Sequence, residues 1–186
     1  MAYETGPIQT ARLVLRPWSE ADNHLFSWLA TNPKVMRFIG DGSLWDAARV
    51  DEIFQRQSEH WDKYGFGWRS LSEKATSRRI GFVGLNHVSP EATDVADDEI
   101  EIGWWLDPDF WRQGLATEGA TALRDEGFER IGLERIIGRY QPENIASGRI
   151  MDALGMSFER DALGSHGGPV RIYALDRTDW LRLQRH

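Results

Sequence analysis

The chain has 186 residues, 41% hydrophobic and 27% charged, with a formal net charge of −7 and no cysteine. A disulfide framework, a thiolate nucleophile and a sulfur-borne acyl intermediate are therefore excluded, and the acidic balance argues against nucleic acid as a partner. No apolar run reaches the roughly 18 residues of a membrane span and no secretory apolar region follows Met1, so one cytoplasmic domain over residues 1–186, with no membrane contact, is expected.

In chain order, residues 1–9 are a short polar lead-in, and residues 11–16 alternate as a first strand closed by Pro17. Ser19, with Asp22 three residues on, is a helix N-cap, and Leu25, Phe26 and Leu29 carry that helix to about residue 30. Asn32-Pro33 marks the turn out. Ala47, Val50, Phe54, Gln57 and Trp61 repeat at spacings of three and four, a second helix that Tyr64-Gly65 ends. Residues 66–72 and 79–88 read as an antiparallel strand pair, in which Gly81 and Gly84 point to bulges or close backbone approach. The loop after it carries Asp94, Asp97 and Asp98, either a solvated stretch or one that draws cations.

Residues 99–131 organise the rest. Ile100, Ile102 and Trp104 fall on one face of a strand, with Glu99, Glu101, Gly103 and Trp105 on the other. Asp107-Pro108-Asp109 stops the strand. After Phe110-Trp111 the chain turns through residues 112–116 into a helix whose buried face holds Leu115, Ala116, Ala120, Leu123, Phe128 and Ile131. A strand, a small basic loop and a helix start together offer uncapped amides and a helix dipole to an anion. Gly114 and Ala116 leave the approach open, and Arg112 adds a cation.

Beyond it, residues 135–140 form a strand, and Pro142-Glu143-Asn144 starts a helix to Leu154 with Gly155 as its C-terminal cap. Two last strands, about 157–160 and 170–176, flank the glycine-rich loop 164–169. No repeat, low-complexity segment or linker divides the chain. The order of elements suits a mixed α/β sheet covered on both faces.

The run EIGWW-LDPDFWRQGLATEGATAL resembles the cofactor-binding motif of the GNAT superfamily of acyl-CoA-dependent N-acyltransferases, and most nearly its ribosomal-protein N-terminal acetyltransferase-like branch. Gly114 and Ala116 match the last two positions of that family's Gln/Arg-x-x-Gly-x-Gly/Ala loop, while Trp111 stands where a polar residue is usual. The resemblance runs from about residue 10 to 176 and is specific over 99–154. It implies a central, mostly antiparallel sheet of about six or seven strands, with splayed parallel fourth and fifth strands and helices on both faces. It implies acetyl-CoA as acyl donor, no metal, and direct attack by a primary amine, either a peptide N-terminus or a small molecule. Cofactor contacts would come from Trp104, Trp105, Leu106, Arg112, Gln113, Gly114, Leu115, Ala116, Thr117 and Asn144. The amide-rich pantetheine arm would satisfy strand groups left unpaired by the splay. A homodimer is left open.

The chemistry needs a base for the amine and an acid or stabiliser for the thiolate. Glu101 is the candidate base, against the reading that it only pairs with Arg139 or Arg79. The family's tyrosine, seven residues past the asparagine, falls on Met151 and is absent. Asn144-Ile145-Ala146-Ser147 resembles instead the branch in which the serine is the proposed acid. Ser147 and Asn144 read equally well as local backbone caps, and Tyr140 is a reserve acid. The five histidines, at positions 24, 60, 87, 166 and 186, lack metal-ligand spacing. His87 is expected at the surface rather than facing the acceptor. Most of the nine tryptophans are expected as core or cleft lining, with Trp45, Trp68 and Trp105 the candidates to frame an acceptor pocket. A nucleotide-binding reading fails for want of Gly-Lys-Ser/Thr or G-x-G-x-x-G after a strand. A non-catalytic acyl-CoA sensor or interaction module on the same fold stays as the second reading.

Overall fold

Leu13, Leu15 and Leu71 are fully buried while the alternates Val14 and Arg16 are not, the period-two signature of strands covered on a core face. The computed structural model describes residues 6–89, 92, 95–96, 98–164 and 166–185. Asp94, Asp97 and His186, named above, and Ser165 of the 164–169 loop lie outside the described residues. The strands are β1 (Ile8–Gln9), β2 (Leu13–Pro17), β3 (Trp68–Glu73), β4 (Arg79–His87), β5 (Ile100–Leu106), β6 (Arg135–Tyr140), β7 (Ser157–Leu163) and β8 (Pro169–Asp176). They form one eight-stranded sheet in the order β1-β2-β3-β4-β5-β6-β8-β7. Every neighbouring pair is antiparallel except β5 and β6.

One face is covered by α1 (Asn23–Ala30), α2 (Pro33–Met36) and α3 (Ala47–Tyr64), which enclose an aromatic core with Trp18, Phe26, Phe54, Phe82 and Trp105. On the other face lie α4 (Leu115–Glu126), α5 (Ile145–Ala153) and α6 (Arg177–Leu183), whose Leu115, Leu123, Met151 and Trp180 meet Leu13, Leu71 and Ile102. The sheet holds more strands than expected because β1 is only two residues long, too short for a periodic signal. Two short helices were also not expected. Asn32-Pro33, read as a turn, instead starts α2, with the Asn32 side chain accepting from Lys34 N at 3.0 Å and Pro33 at a first-turn position. α6 is held by Trp180, stacked on Phe128 at 5.2 Å, a contact made across the fold. Ser19 does form a capping box with Asp22, but it opens a 3₁₀ turn, Glu20–Asp22, ahead of α1.

Gly81 has an expected cause, a bulge, whereas Gly84 makes room for a side chain. A register shift opposite Leu71 and Ser72 leaves Ile80 unpaired beside Gly81, and at Gly84 the Trp68 indole occupies the space a Cβ would need. The feature that positions the site is the asymmetry around β5. On one side it pairs with β4 at seven registers, from Gly81↔Leu106 to His87↔Ile100. On the other it meets β6 at a single register, Glu101↔Ile137. Past that vertex the parallel strands diverge, and residues 103–106 face a gap in place of a strand partner.

Candidate active site

At the far end of β5, Asp107 caps a 3₁₀ turn, Pro108–Phe110, by accepting from Asp109 N at 3.0 Å. Trp111, the departure from the family's loop pattern, donates its indole N–H to the Leu106 carbonyl at 2.9 Å and so folds the loop back on the strand end. Gln113 donates its side-chain amide to the Asp109 carbonyl at 3.2 Å. Arg112 and Gly114 both adopt left-handed backbone, with φ of 60° and 74°. Glycine does so freely, whereas an arginine held there stores about 1–2 kcal/mol of strain. Gly114 is the N-cap of α4 and provides no side-chain cap, so the first-turn amides of Leu115, Ala116 and Thr117 have no acceptor from that position. A Cβ on Gly114 would meet only Arg12 Nη2, at 3.5 Å, so the concave side of the loop is open. An open cradle of uncapped amides at a helix N-terminus, with exposed Arg112 beside it, fits a diphosphate.

Side chains and backbones of the expected contacts separate here. Leu115 is buried in the core, and Trp105 stacks on Phe26 at 5.7 Å, so these two have only backbone groups to offer a ligand. Trp104 is half-buried against the α4 side. Trp45 and Trp68 also pack edge-on to Trp105, at 5.3 and 5.4 Å. The three tryptophans are therefore wall and core of the α1–α3 layer, and none of them lines the cleft described next.

A cleft of about 240 Å³ opens instead between the segment after α2, the ends of β5 and β6, and the β7–β8 hairpin. Ile39 and Gly40 form one wall, Gly164, His166 and Val170 the other, and Glu101, Arg139 and Gln141 lie between them. Gln141 ties the walls by donating to the Gly40 carbonyl at 2.8 Å. Glu101 is held by Arg139, which donates Nε to Oε1 at 3.2 Å and Nη2 to Oε2 at 2.8 Å. Of the two partners considered for Glu101, the structure selects Arg139; Arg79 pairs with buried Asp22 at 3.3 Å. Glu101 thus sits at the strand vertex, 26% exposed, with its charge balanced but still facing the cleft.

Asn144 caps α5, its Oδ1 accepting from Ser147 N at 3.3 Å, and Ser147 is half-buried in that first turn. Tyr140 lines the cleft, and its hydroxyl bonds to Tyr173, which raises the Tyr173 pKa. His87 is not a free surface side chain: it stacks on Tyr64 at 4.1 Å and bonds to His60 at 3.1 Å. Burial pushes His60 down to about 4, and it lowers His87 as well. Among the described residues no three potential ligands are grouped to hold a metal, and no helix is long and apolar enough to cross a membrane.

Two features escaped the sequence reading. The hairpin wall with His166 is one; it becomes part of a site only when β8 returns beside β6. The other is Arg12, which donates Nη1 to the Gln113 carbonyl at 2.8 Å and Nε to Glu118 at 2.6 Å. Those partners are about a hundred residues away, so no local pattern marks it.

Residues 12–157 match the family described as the acetyltransferase (GNAT) domain, and the chain belongs to that family. It is an acetyl-CoA-dependent N-acyltransferase, as are GNAT acetyltransferases generally. Among similar proteins is FsC-acetyl coenzyme A-N(2)-transacetylase from Aspergillus fumigatus, 29% identical over 96% of this chain and 79% of that protein. An acetyltransferase structure from Agrobacterium tumefaciens superposes with a TM-score of 0.78 at 26% identity, covering 94% of this chain and 96% of that one. RimL, a ribosomal L7/L12 alpha-N-protein acetyltransferase in complex with coenzyme A, has the same fold, with a TM-score of 0.74 at 17% identity over 91% and 97% of the two chains.

Proposed function

We propose that the protein, a single cytoplasmic domain, transfers acetyl from acetyl-CoA to a primary amine that carries a neighbouring carbonyl oxygen, as in a peptide N-terminus or a small α-amino acyl compound. Attack is direct, within a ternary complex. The observation that carries this reading is the Glu101–Arg139 pair on the cleft floor. The carboxylate draws the ammonium and relays its proton, and the guanidinium, a planar donor fork, suits the carbonyl oxygen three bonds from that nitrogen. Amides at the start of α4, with Arg112, hold the diphosphate, and the unpaired edge of Trp104–Leu106 with Asn144 holds the pantetheine arm. Ser147 serves as proton donor to the departing thiolate. Two similar proteins support the acceptor class by name, one for transfer to N(2) and one for an alpha-N-protein product.

Thiol release measured over an acceptor panel tests it: tripeptides with free termini, α-amino amides, simple alkylamines and an aminoglycoside. Because α-amines and alkylamines ionise about two pH units apart, rates are compared at equal concentrations of neutral amine. Acceptors with the neighbouring carbonyl should turn over faster. Equal rates for the alkylamines would refute the class, and no thiol release with any amine would refute the reaction.

A further inference from the structure

The first turn of α4 contains a carboxylate, Glu118, at the end of the helix where an anion is to bind. A glutamate there takes up the favourable helix dipole itself and repels a second anion. In this chain the carboxylate is heavily engaged. Thr10 donates its hydroxyl to Oε1 at 2.5 Å, Arg12 its backbone N–H to Oε1 at 2.8 Å, and Arg12 Nε donates to Oε2 at 2.6 Å. Burial pushes the Glu118 pKa up, but these bonds together outweigh it and hold the group below its ordinary value, so it stays ionised. The same guanidinium reaches on to the Gln113 carbonyl at 2.8 Å, between the two left-handed residues of the loop. Thr10 is itself pinned, its carbonyl accepting from Lys74 Nζ at 2.5 Å.

We propose that Arg12 is a positioning residue for acetyl-CoA: it neutralises Glu118 at the helix start and fixes the Gln113 peptide, so that the loop presents a net attractive, correctly shaped cradle to the diphosphate. The geometry separates two duties. Nε and the Arg12 amide bind the carboxylate, while Nη1 holds the loop carbonyl. Arg12 Nη2 lies on the open side of Gly114, where its charge also reaches the ligand. This inference rests on the use of acetyl-CoA, not on the acceptor class.

Titration calorimetry with coenzyme A, together with thermal melting, tests it. Wild-type protein should bind, and failure to bind would refute the cofactor assignment itself. In Arg12→Gln the dissociation constant should rise about 10–100-fold at low salt, because a charge-assisted contact is lost and the Glu118 carboxylate is exposed to the ligand. Two results identify charge compensation rather than general loosening. The deficit should shrink as salt rises from about 0.05 to 0.5 M, since screening weakens the repulsion. The double variant Arg12→Gln/Glu118→Gln should also recover most of the lost affinity, although it lacks more native bonds. Arg12→Lys, which keeps the charge, should stay within several-fold of wild type at low salt, and if Arg12→Gln does not fold, a rise of about tenfold or more in the Arg12→Lys dissociation constant overturns the proposal. Unchanged affinity in Arg12→Gln overturns the proposal. So does a deficit that persists in the double variant, or one as large in Arg12→Lys.

Discussion

Glu101→Gln is the substitution that most directly separates chemistry from structure at the cleft. The amide keeps the shape and one acceptor for Arg139 but loses basicity and the charge of the pair. The structural cost follows from the geometry. Two bonds, at 3.2 and 2.8 Å, join groups that are 26% and 17% exposed, so after solvent screening the loss is about 1 kcal/mol. Against a typical stability of about 5–15 kcal/mol, that leaves the protein almost fully folded. Loss of a general base instead lowers the rate about 10²–10⁴-fold, a barrier increase of roughly 3–5 kcal/mol. The two accounts therefore differ by orders of magnitude in turnover. The assay is thiol release at saturating acetyl-CoA, run from pH 7 to pH 9, with coenzyme A affinity and melting measured alongside. Turnover at pH 7 should fall at least about a hundredfold with affinity nearly unchanged, and the deficit should narrow as pH rises because more acceptor is already neutral. Ser147→Ala should lose much less, since a thiolate whose parent pKa is about 8.5 departs tolerably unaided. Wild-type turnover at pH 7 in Glu101→Gln would reduce Glu101 to the partner of Arg139.

Gly114→Trp should abolish coenzyme A binding in calorimetry while the protein stays folded, because the loop's open side would be filled and each charge-assisted amide bond lost costs about 1.5–3 kcal/mol; unchanged affinity would dismiss the loop. Arg69→Ala should destabilise by about 3–5 kcal/mol in urea unfolding, since Glu126, buried and bonded to Arg69 at 2.9 Å, would lose its main counter-ion; a loss below 1 kcal/mol would mean that Arg130, 3.5 Å away, suffices. Stability should also fall as pH drops from about 6.5 to about 4, because the unfolded chain protonates His60 at the ordinary value while the folded protein holds it down to about 4, with Lys63 and His87 opposing the charge. His60→Gln should flatten that part of the urea-midpoint profile, and an equally steep profile would assign the dependence elsewhere.

What could be read in advance from the residues is what depends on neighbours in the chain. The α4 entry combines a proline-interrupted strand end, a small-residue turn and a 3.6-residue apolar period within residues 100–131, and it folds as that pattern implies as far as Glu126, after which Gly127–Ile131 is a π-helical turn. The α3 boundary at Gly65, with φ of 72°, was equally local. Failures occur where the deciding contact is distant or where one signal serves two structures. Asn32-Pro33 suits a turn and a helix start alike, and only the Lys34 amide on the Asn32 side chain decides. The tryptophans were left between core and pocket lining because aromatic content does not say which layer closes over a side chain. Trp105 lies on the same strand face as Glu101, yet α1 covers it through Phe26.

The candidate site divides along the same line. Its donor half is one continuous segment, so its loop and helix start could be recognised from the resemblance carried by residues 101–123. Its acceptor half is assembled from four places: the segment after α2, β5, β6 and the β7–β8 hairpin. No periodicity relates Gly40 to His166, and they become neighbours only because β8 inserts between β6 and β7. That division has a physical reason. A diphosphate is recognised by backbone amides and a dipole, which one strand–loop–helix unit can supply. An amine carried on a variable scaffold has to be recognised by side chains converging from separate loops, and loops can change without disturbing the sheet. Within the cleft, Glu101 belongs to both proposed halves, since its strand continues toward the loop before α4 while its carboxylate faces the cleft. Glu101 and the reserve residue Tyr140 could be named beforehand; Arg139 stood beside Arg79 as a partner for Glu101, and the single β5–β6 register, which places Glu101 and Arg139 on one face, decides between them.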